Sequence, residues 1–219
     1  MGKHLSNQKK IKDRAIVEPL ISMLNNFHTL DEKVIRYLCE NIAPVSFKRG
    51  TRLQEAGTHC EYIYFIKKGV LRGFILQGHK EVTTWISADN ELVTSISSLD
   101  LELPAFENIQ AIENCELLSI SIEAMNNLYL QFTDFNIVGR KLLQQYYRDA
   151  EKRAYIVRLN NAQTKYKFFI ENYSHLANRI QLLYIASFLG ITLETLSRVR
   201  KKLSSTSINP EGNTSLKTG

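Results

Sequence analysis

Residues 182–203 read LLYIASFLGITLETLSRVRKKL, and this stretch decides how the chain is organised. A small residue, Ala186, stands four positions before Gly190. Glycine enters the left-handed backbone of a tight turn without a Cβ penalty. Ile185, Leu189, Ile191, Leu196 and Val199 fill the apolar positions that brace two helices across such a turn. Thr192 is placed to cap the second helix, because its hydroxyl can accept from free backbone donors. The pattern predicts a helix-turn-helix. With Leu196, Val199 and Leu203 turned inward, Glu194, Thr195, Ser197, Arg198, Lys201 and Lys202 are left outward.

That outward set suits the major groove of double-stranded DNA. Arg198 can make a two-pronged contact with guanine, Glu194 can accept from cytosine, and Thr195 and Ser197 can reach bases or phosphates. Arg200, Lys201 and Lys202 suit phosphates, which supply affinity and salt dependence but no sequence information. With the capping Thr192 these residues form the expected DNA-binding set. A helical hairpin with a solvated basic face is the plainer alternative.

The charge distribution fits either a half that meets a polyanion or a solubilising basic tail, and the motif decides between them. The chain carries a net +6, but residues 1–133 hold 14 Lys+Arg against 16 Asp+Glu. Residues 134–159 hold 6 against 3, and residues 160–219 hold 8 against 3. The basic excess therefore lies in the C-terminal part, as expected where one half of a protein meets a polyanion.

Upstream the hydrophobic period changes. Thr29-Leu30-Asp31-Glu32 has capping-box spacing before Val34, Ile35, Leu38 and Ile42, with Pro44 as the stop, so a short helix is expected there. Ile16, Leu20, Met23, Leu24 and Phe27 suggest another helix before it. From Val45 onward, short β-branched and aromatic runs at 45–47, 62–66, 70–76, 81–86, 106–112 and 116–122 alternate with turns. Short strands at this spacing indicate a compact β-roll or jelly roll rather than a parallel α/β sheet. Residues 123–203 contain no proline and two glycines, so almost continuous helix is expected. Within it, residues 134–159 read as one long helix with Leu143, Tyr146, Ala150 and Val157 on one face. Either a symmetry mate or a contact within one domain would cover that face, and the dimer is preferred.

The expected class is thus α+β. An N-terminal β-roll sensor domain with its helices spans 1–133, and a connecting dimerisation helix spans 134–159. A small all-helical domain with the helix-turn-helix spans 160–203, and a flexible tail spans 204–219. With 219 residues, 44% apolar and 23% charged, the chain can build a real core. No apolar run reaches the ~18 residues of a membrane span, and the N-terminus is polar rather than signal-like. Cys39, Cys60 and Cys115 are scattered and without CxxC spacing, which argues against a disulfide framework or a zinc site. A reduced, cytoplasmic setting away from membranes is expected.

The chain resembles the Crp/Fnr superfamily of bacterial transcription regulators over roughly residues 25–203. In the N-terminal half the resemblance rests on Lys48-Arg49-Gly50-Thr51, Glu55-Ala56-Gly57 and the run from Tyr62 to Arg72. These are similar to the glycine-punctuated strands of a cyclic-nucleotide-binding jelly roll, and residues 115–121 look like its last strand. In the C-terminal half, Glu194-Thr195 and Arg198 stand where the family's recognition helix reads bases. Leu193 departs from the arginine of well-known members, so a different target sequence is expected. The resemblance implies a homodimer on a two-fold symmetric (palindromic) operator, with RNA polymerase as a candidate further partner.

The same resemblance defines an effector pocket and its defect. The family binds the ribose with a Gly-Glu-Leu turn and the cyclic phosphate with an Arg-Ser or Arg-Thr pair. Counting back from Cys115 places Thr94-Ser95 and Ala105-Phe106 at those positions; a shifted alignment brings in Glu91 for the ribose. No shift recovers the arginine. Between Arg72 and Arg140 there is one Lys or Arg, Lys80, against ten Asp and Glu. Burying a phosphate without a cationic or N–H partner costs on the order of several kcal/mol. Tight cAMP or cGMP binding is therefore not expected. The roll takes an uncharged or cationic ligand or serves as scaffold. His4, His28, His59, His79 and His175 show no metal spacing, and no nucleophile–base pair is visible. No metal, cofactor or enzymatic activity is expected. The rival reading is a ligand- or partner-binding module whose helical tail no longer reads DNA.

Overall fold

The computed structural model describes residues 13–99 and 103–206. These fall into two compact units, one up to Lys152 and one from Arg153 onward.

The first unit opens with helices α1 (Arg14–Asn25) and α2 (Glu32–Asn41). Eight strands follow: β1 (Ala43–Phe47), β2 (Arg52–Gln54), β3 (Tyr62–Lys68), β4 (Leu71–Gln77), β5 (Lys80–Ser87), β6 (Leu92–Val93), β7 (Asn108–Ala111) and β8 (Cys115–Ser121). They form two antiparallel four-stranded sheets, ordered β1-β8-β3-β6 and β2-β7-β4-β5. Alternation along β3 and β8 decides what each face buries. Tyr64, Ile66, Cys115 and Leu117 share the core between the sheets with Leu71, Ile109 and Ala111. Ile63, Phe65, Leu118 and Ile120 face the other way, against the apolar sides of α1 and α2, Leu128 of α3 (Ile122–Gln131), and Phe135 and Val138 of α4 (Phe135–Arg158). At ~1.5–3 kcal/mol per fully buried large side chain, these two layers stabilise the roll.

The cap of α2 differs from the expected capping box. Asp31, not Thr29, is the N-cap, accepting from Lys33 N–H at 2.8 Å. The buried Leu30 is tied back to Asn25 Oδ1 at 2.8 Å, which starts the helix two residues later.

Helix α4 has two unlike sides. Phe135, Val138 and Leu142 pack on the helix–sheet core, and the Tyr146 phenol bonds Leu92. Leu143 and Tyr147 are 60% and 68% exposed. The sequence had grouped Tyr146 with Leu143. One helical step of ~100° separates Tyr146 from Tyr147, and it is Tyr147 that shares the exposed side.

The second unit contains the end of α4, then α5 (Ala162–Asn172), a 3-10 turn at Ser174–Leu176, α6 (Leu182–Leu189) and α7 (Leu193–Thr206). Phe169, Tyr173 and Phe188 form a ring cluster with centroids 5.4–5.9 Å apart. No strand occurs among the described residues of this unit. The near-continuous helix expected over 123–203 breaks at polar caps: Asn161 accepts from Gln163 N–H and Thr164 N–H to start α5 afresh. It breaks again at 173–181, which is mostly non-helical. Residues 204–206, assigned from sequence to the tail, instead continue α7, where Ser204 and Ser205 donate to Lys201 O and Lys202 O. Residues 207–219, like His4, lie outside the described residues.

Candidate nucleic-acid interface and effector pocket

Helices α6 and α7 meet at 102°, within the range of a helix-turn-helix. Gly190 makes the corner possible at φ 64°, ψ 39°. Its N–H donates to Ser187 O at 3.1 Å and Ile191 N–H to Ala186 O at 3.0 Å, the bond pair of a Schellman motif. Lys165 of α5, buried, donates from Nζ to Leu189 O at 2.9 Å, putting a cation on the C-terminal carbonyls of α6. Sequence reasoning passed over Lys165, because nothing local marks a lysine 24 residues upstream as the partner of this turn.

The second helix starts at Thr192, whose hydroxyl oxygen accepts from Thr195 N–H at 3.2 Å. Ile185, Leu189 and Leu196 are buried at the crossing, whereas Ile191 and Val199 are half-buried. Thr192, Glu194, Ser197, Arg198, Lys201 and Lys202 are exposed; Thr195 and Arg200 are half-buried. Arg198 donates to Thr195 Oγ1 at 3.4 Å, so the first turn holds Thr192, Thr195 and Arg198 in one chain of contacts. The Glu194 carboxyl is held below its ordinary range, chiefly by its own backbone N–H, then by the Thr192 hydroxyl and the Arg198 charge.

The residues assigned to the effector pocket are only partly brought together. Ser95 is fully buried and Phe106 is 62% exposed; both meet Ser97, with Ser95 Oγ 3.2 Å from Ser97 Oγ and Phe106 N–H donating to it at 3.4 Å. Ala105 is pinned by its backbone to the 57–58 turn, donating to Thr58 O at 2.9 Å and accepting from Gly57 N–H at 2.7 Å. Thr94 donates to Tyr62 O at 3.2 Å. Glu91 lies apart, its carbonyl accepting from Ile66 N–H at 2.9 Å.

Two features near this segment were not anticipated. Glu107 is buried, and its carboxylate accepts from Trp85 Nε1 at 2.9 Å and Thr84 Oγ1 at 3.2 Å. The Trp85 indole stands over Gly73, its partner across the β4–β5 pair, so closely that a Cβ there would lie 2.2 Å from the ring. Arg72, the one buried arginine among the described residues, is engaged by Gln110 at 2.8 Å, by Glu81, and by the Phe74 ring 4.3 Å from its guanidinium. A separate open cavity of 680 Å³ lies between His59, Ser98 and α3; none of the assigned pocket residues lines it. Among the described residues no group of three His, Cys, Asp or Glu is placed to hold a metal ion, and no single helix is long and apolar enough to cross a membrane.

Residues 44–132 match the cyclic nucleotide-binding domain family. The fumarate and nitrate reduction regulatory protein of Yersinia pestis is 24% identical over 201 residues, covering 86% of this chain and 78% of that protein. Among solved structures, FixK2 from Bradyrhizobium japonicum superposes with a TM-score of 0.66 at 17% identity, covering 78% of this chain and 89% of its own. A chain from Eubacterium rectale assigned to the crp/fnr family of transcriptional regulators superposes at 0.65 with 17% identity, covering 84% of this chain and 88% of its own.

Proposed function

We propose that this chain is a Crp/Fnr-type homodimeric transcription regulator that reads double-stranded DNA through α7 and carries a degenerate effector pocket, a reading supported by its similarity to the cyclic nucleotide-binding domain family and to a fumarate and nitrate reduction regulatory protein. The observation that carries the DNA reading is the capped helix α7, set at 102° to α6 with Glu194, Ser197, Arg198, Lys201 and Lys202 exposed along it. In this reading Arg198 and Glu194 discriminate bases, while Arg200, Lys201 and Lys202 serve the phosphates. The homodimer is supported by the exposed Leu143, Tyr147 and Val157 of α4. With Ala150 and Ala154 they recur at alternating four- and three-residue spacing, the seam of a paired helix.

The degenerate pocket is supported by three local facts. On the ungapped count from Cys115 Ala105 takes the phosphate-arginine position, Arg72 is committed elsewhere, and two residues beyond Ala105 stands a buried carboxyl, Glu107, where a cyclic phosphate needs a cation or N–H donor. Selection of bound fragments from the source genome, with and without cAMP, tests the whole proposal. One palindromic motif in both arms is expected. A motif recovered only with cAMP would overturn the pocket reading, and no motif in either arm would overturn the DNA reading.

A further inference from the structure

β6 is the outer strand of its sheet, so one edge of Leu92 presents an N–H and a C=O with no strand partner. Both go to a single side chain. The Tyr146 hydroxyl of α4 donates to Leu92 O at 2.7 Å and accepts from Leu92 N–H at 2.8 Å. The neighbouring contacts of α4 through Phe135, Val138 and Leu142 are apolar and carry no directional bond, and Lys141 Nζ donates to Phe27 O beyond them. The phenol holds the β6 edge itself, and its hydrogen bonds are lost when the partners part by a few tenths of an ångström beyond ~3.2 Å or turn out of line. Leu92 also sits inside the segment that carries Glu91, Thr94 and Ser95.

We propose that Tyr146 is a ligand-independent latch, a positioning residue that fixes the depth and rotation of α4 against β6 and so sets how the exposed side with Leu143 and Tyr147 is presented. The inference rests on the regulator reading above and deepens it. A roll with no phosphate arginine still needs α4 held in one arrangement, and the latch supplies that from the chain's own backbone. Any rearrangement of residues 91–95 would reach α4 through Tyr146 first.

The test compares the full chain with Tyr146→Phe, which keeps the ring and removes only the hydroxyl. Amide hydrogen exchange at Leu92 and in the neighbouring turn of α4 is expected to quicken about tenfold or more with the two bonds gone. Affinity for the selected DNA site is expected to fall about tenfold, while binding to scrambled DNA stays as in the wild type. Unchanged exchange would overturn the latch. Faster exchange with unchanged specific affinity would overturn its positioning role. If the wild type reads no DNA, the regulator reading falls on its own, and with it the regulatory half of this inference, while exchange at Leu92 still decides whether the latch exists.

Discussion

Replacing Gly73 with alanine tests whether the Trp85 indole fills the space above β4. A Cβ at this position would lie 2.2 Å from Cε2 and Nε1 of the ring, against ~3.5–4.0 Å for a relaxed contact. The ring must therefore retreat by about 1.3 Å or more. Its Nε1 sits 2.9 Å from Glu107 Oε2, so the retreat breaks that bond. Leaving the buried donor and acceptor unpaired costs ~1–3 kcal/mol, and overpacking a close-fitted site adds ~1–3 kcal/mol. The expected destabilisation of the first unit is about 2–6 kcal/mol. Urea denaturation followed by Trp85 fluorescence reads it directly, since Trp85 is the one tryptophan in the chain. In a Trp85→Leu background, followed by circular dichroism, the same glycine change should cost less than about 1 kcal/mol. A Gly73→Ala protein within about 0.5 kcal/mol of wild type, with unchanged emission, would show that the indole does not fill the space above Gly73.

Other perturbations bear on the second unit and on recognition. Thr192→Ala removes the cap of α7 and should cost about 1 kcal/mol in that unit. The same variant should raise the Glu194 carboxyl toward its ordinary range by NMR titration, and an unmoved titration would contradict the Thr192 contact. The sign follows from the lowered value: the ionised carboxyl contributes fully above the ordinary glutamate range, and its contribution is lost as pH falls through the lowered value. Lys165→Met keeps the buried stem but strands Leu189 O, so thermal unfolding of the second unit should show a loss of ~1–3 kcal/mol, with Gly190 and Ile191 amides exchanging faster. Arg198→Ala should cost ~1–3 kcal/mol on the specific DNA site and relax base preference; equal discrimination between cognate and scrambled duplexes would remove Arg198 from base reading.

The corner between α6 and α7 was legible because its signals are local. Glycine at a left-handed position, threonine at a cap and apolar residues at helical spacing all fall within about twenty residues, and the chain folds there as those preferences direct. Most strands of the roll were legible for the same reason, whereas β2 and β6, three and two residues long, are too short to carry a period. What the sequence hid depends on long-range register. Gly73 meets Trp85 because Thr84 is an extra residue in the β4–β5 pairing, and Arg72 meets Gln110 because β4 lies beside β7. Neither alignment is written in either strand alone. Tyr146 and Tyr147 are adjacent aromatics, and only the packing of α4 decides which meets the roll.

The most direct test of the central claim is a salt titration of the wild-type chain on its selected duplex, followed by fluorescence anisotropy with and without saturating cAMP. The logarithm of affinity is expected to fall with that of salt at a slope of about −4 or steeper, as for several released counterions per dimer, with cAMP leaving the curve in place. A slope near zero, or binding that appears only with cAMP, would contradict that claim.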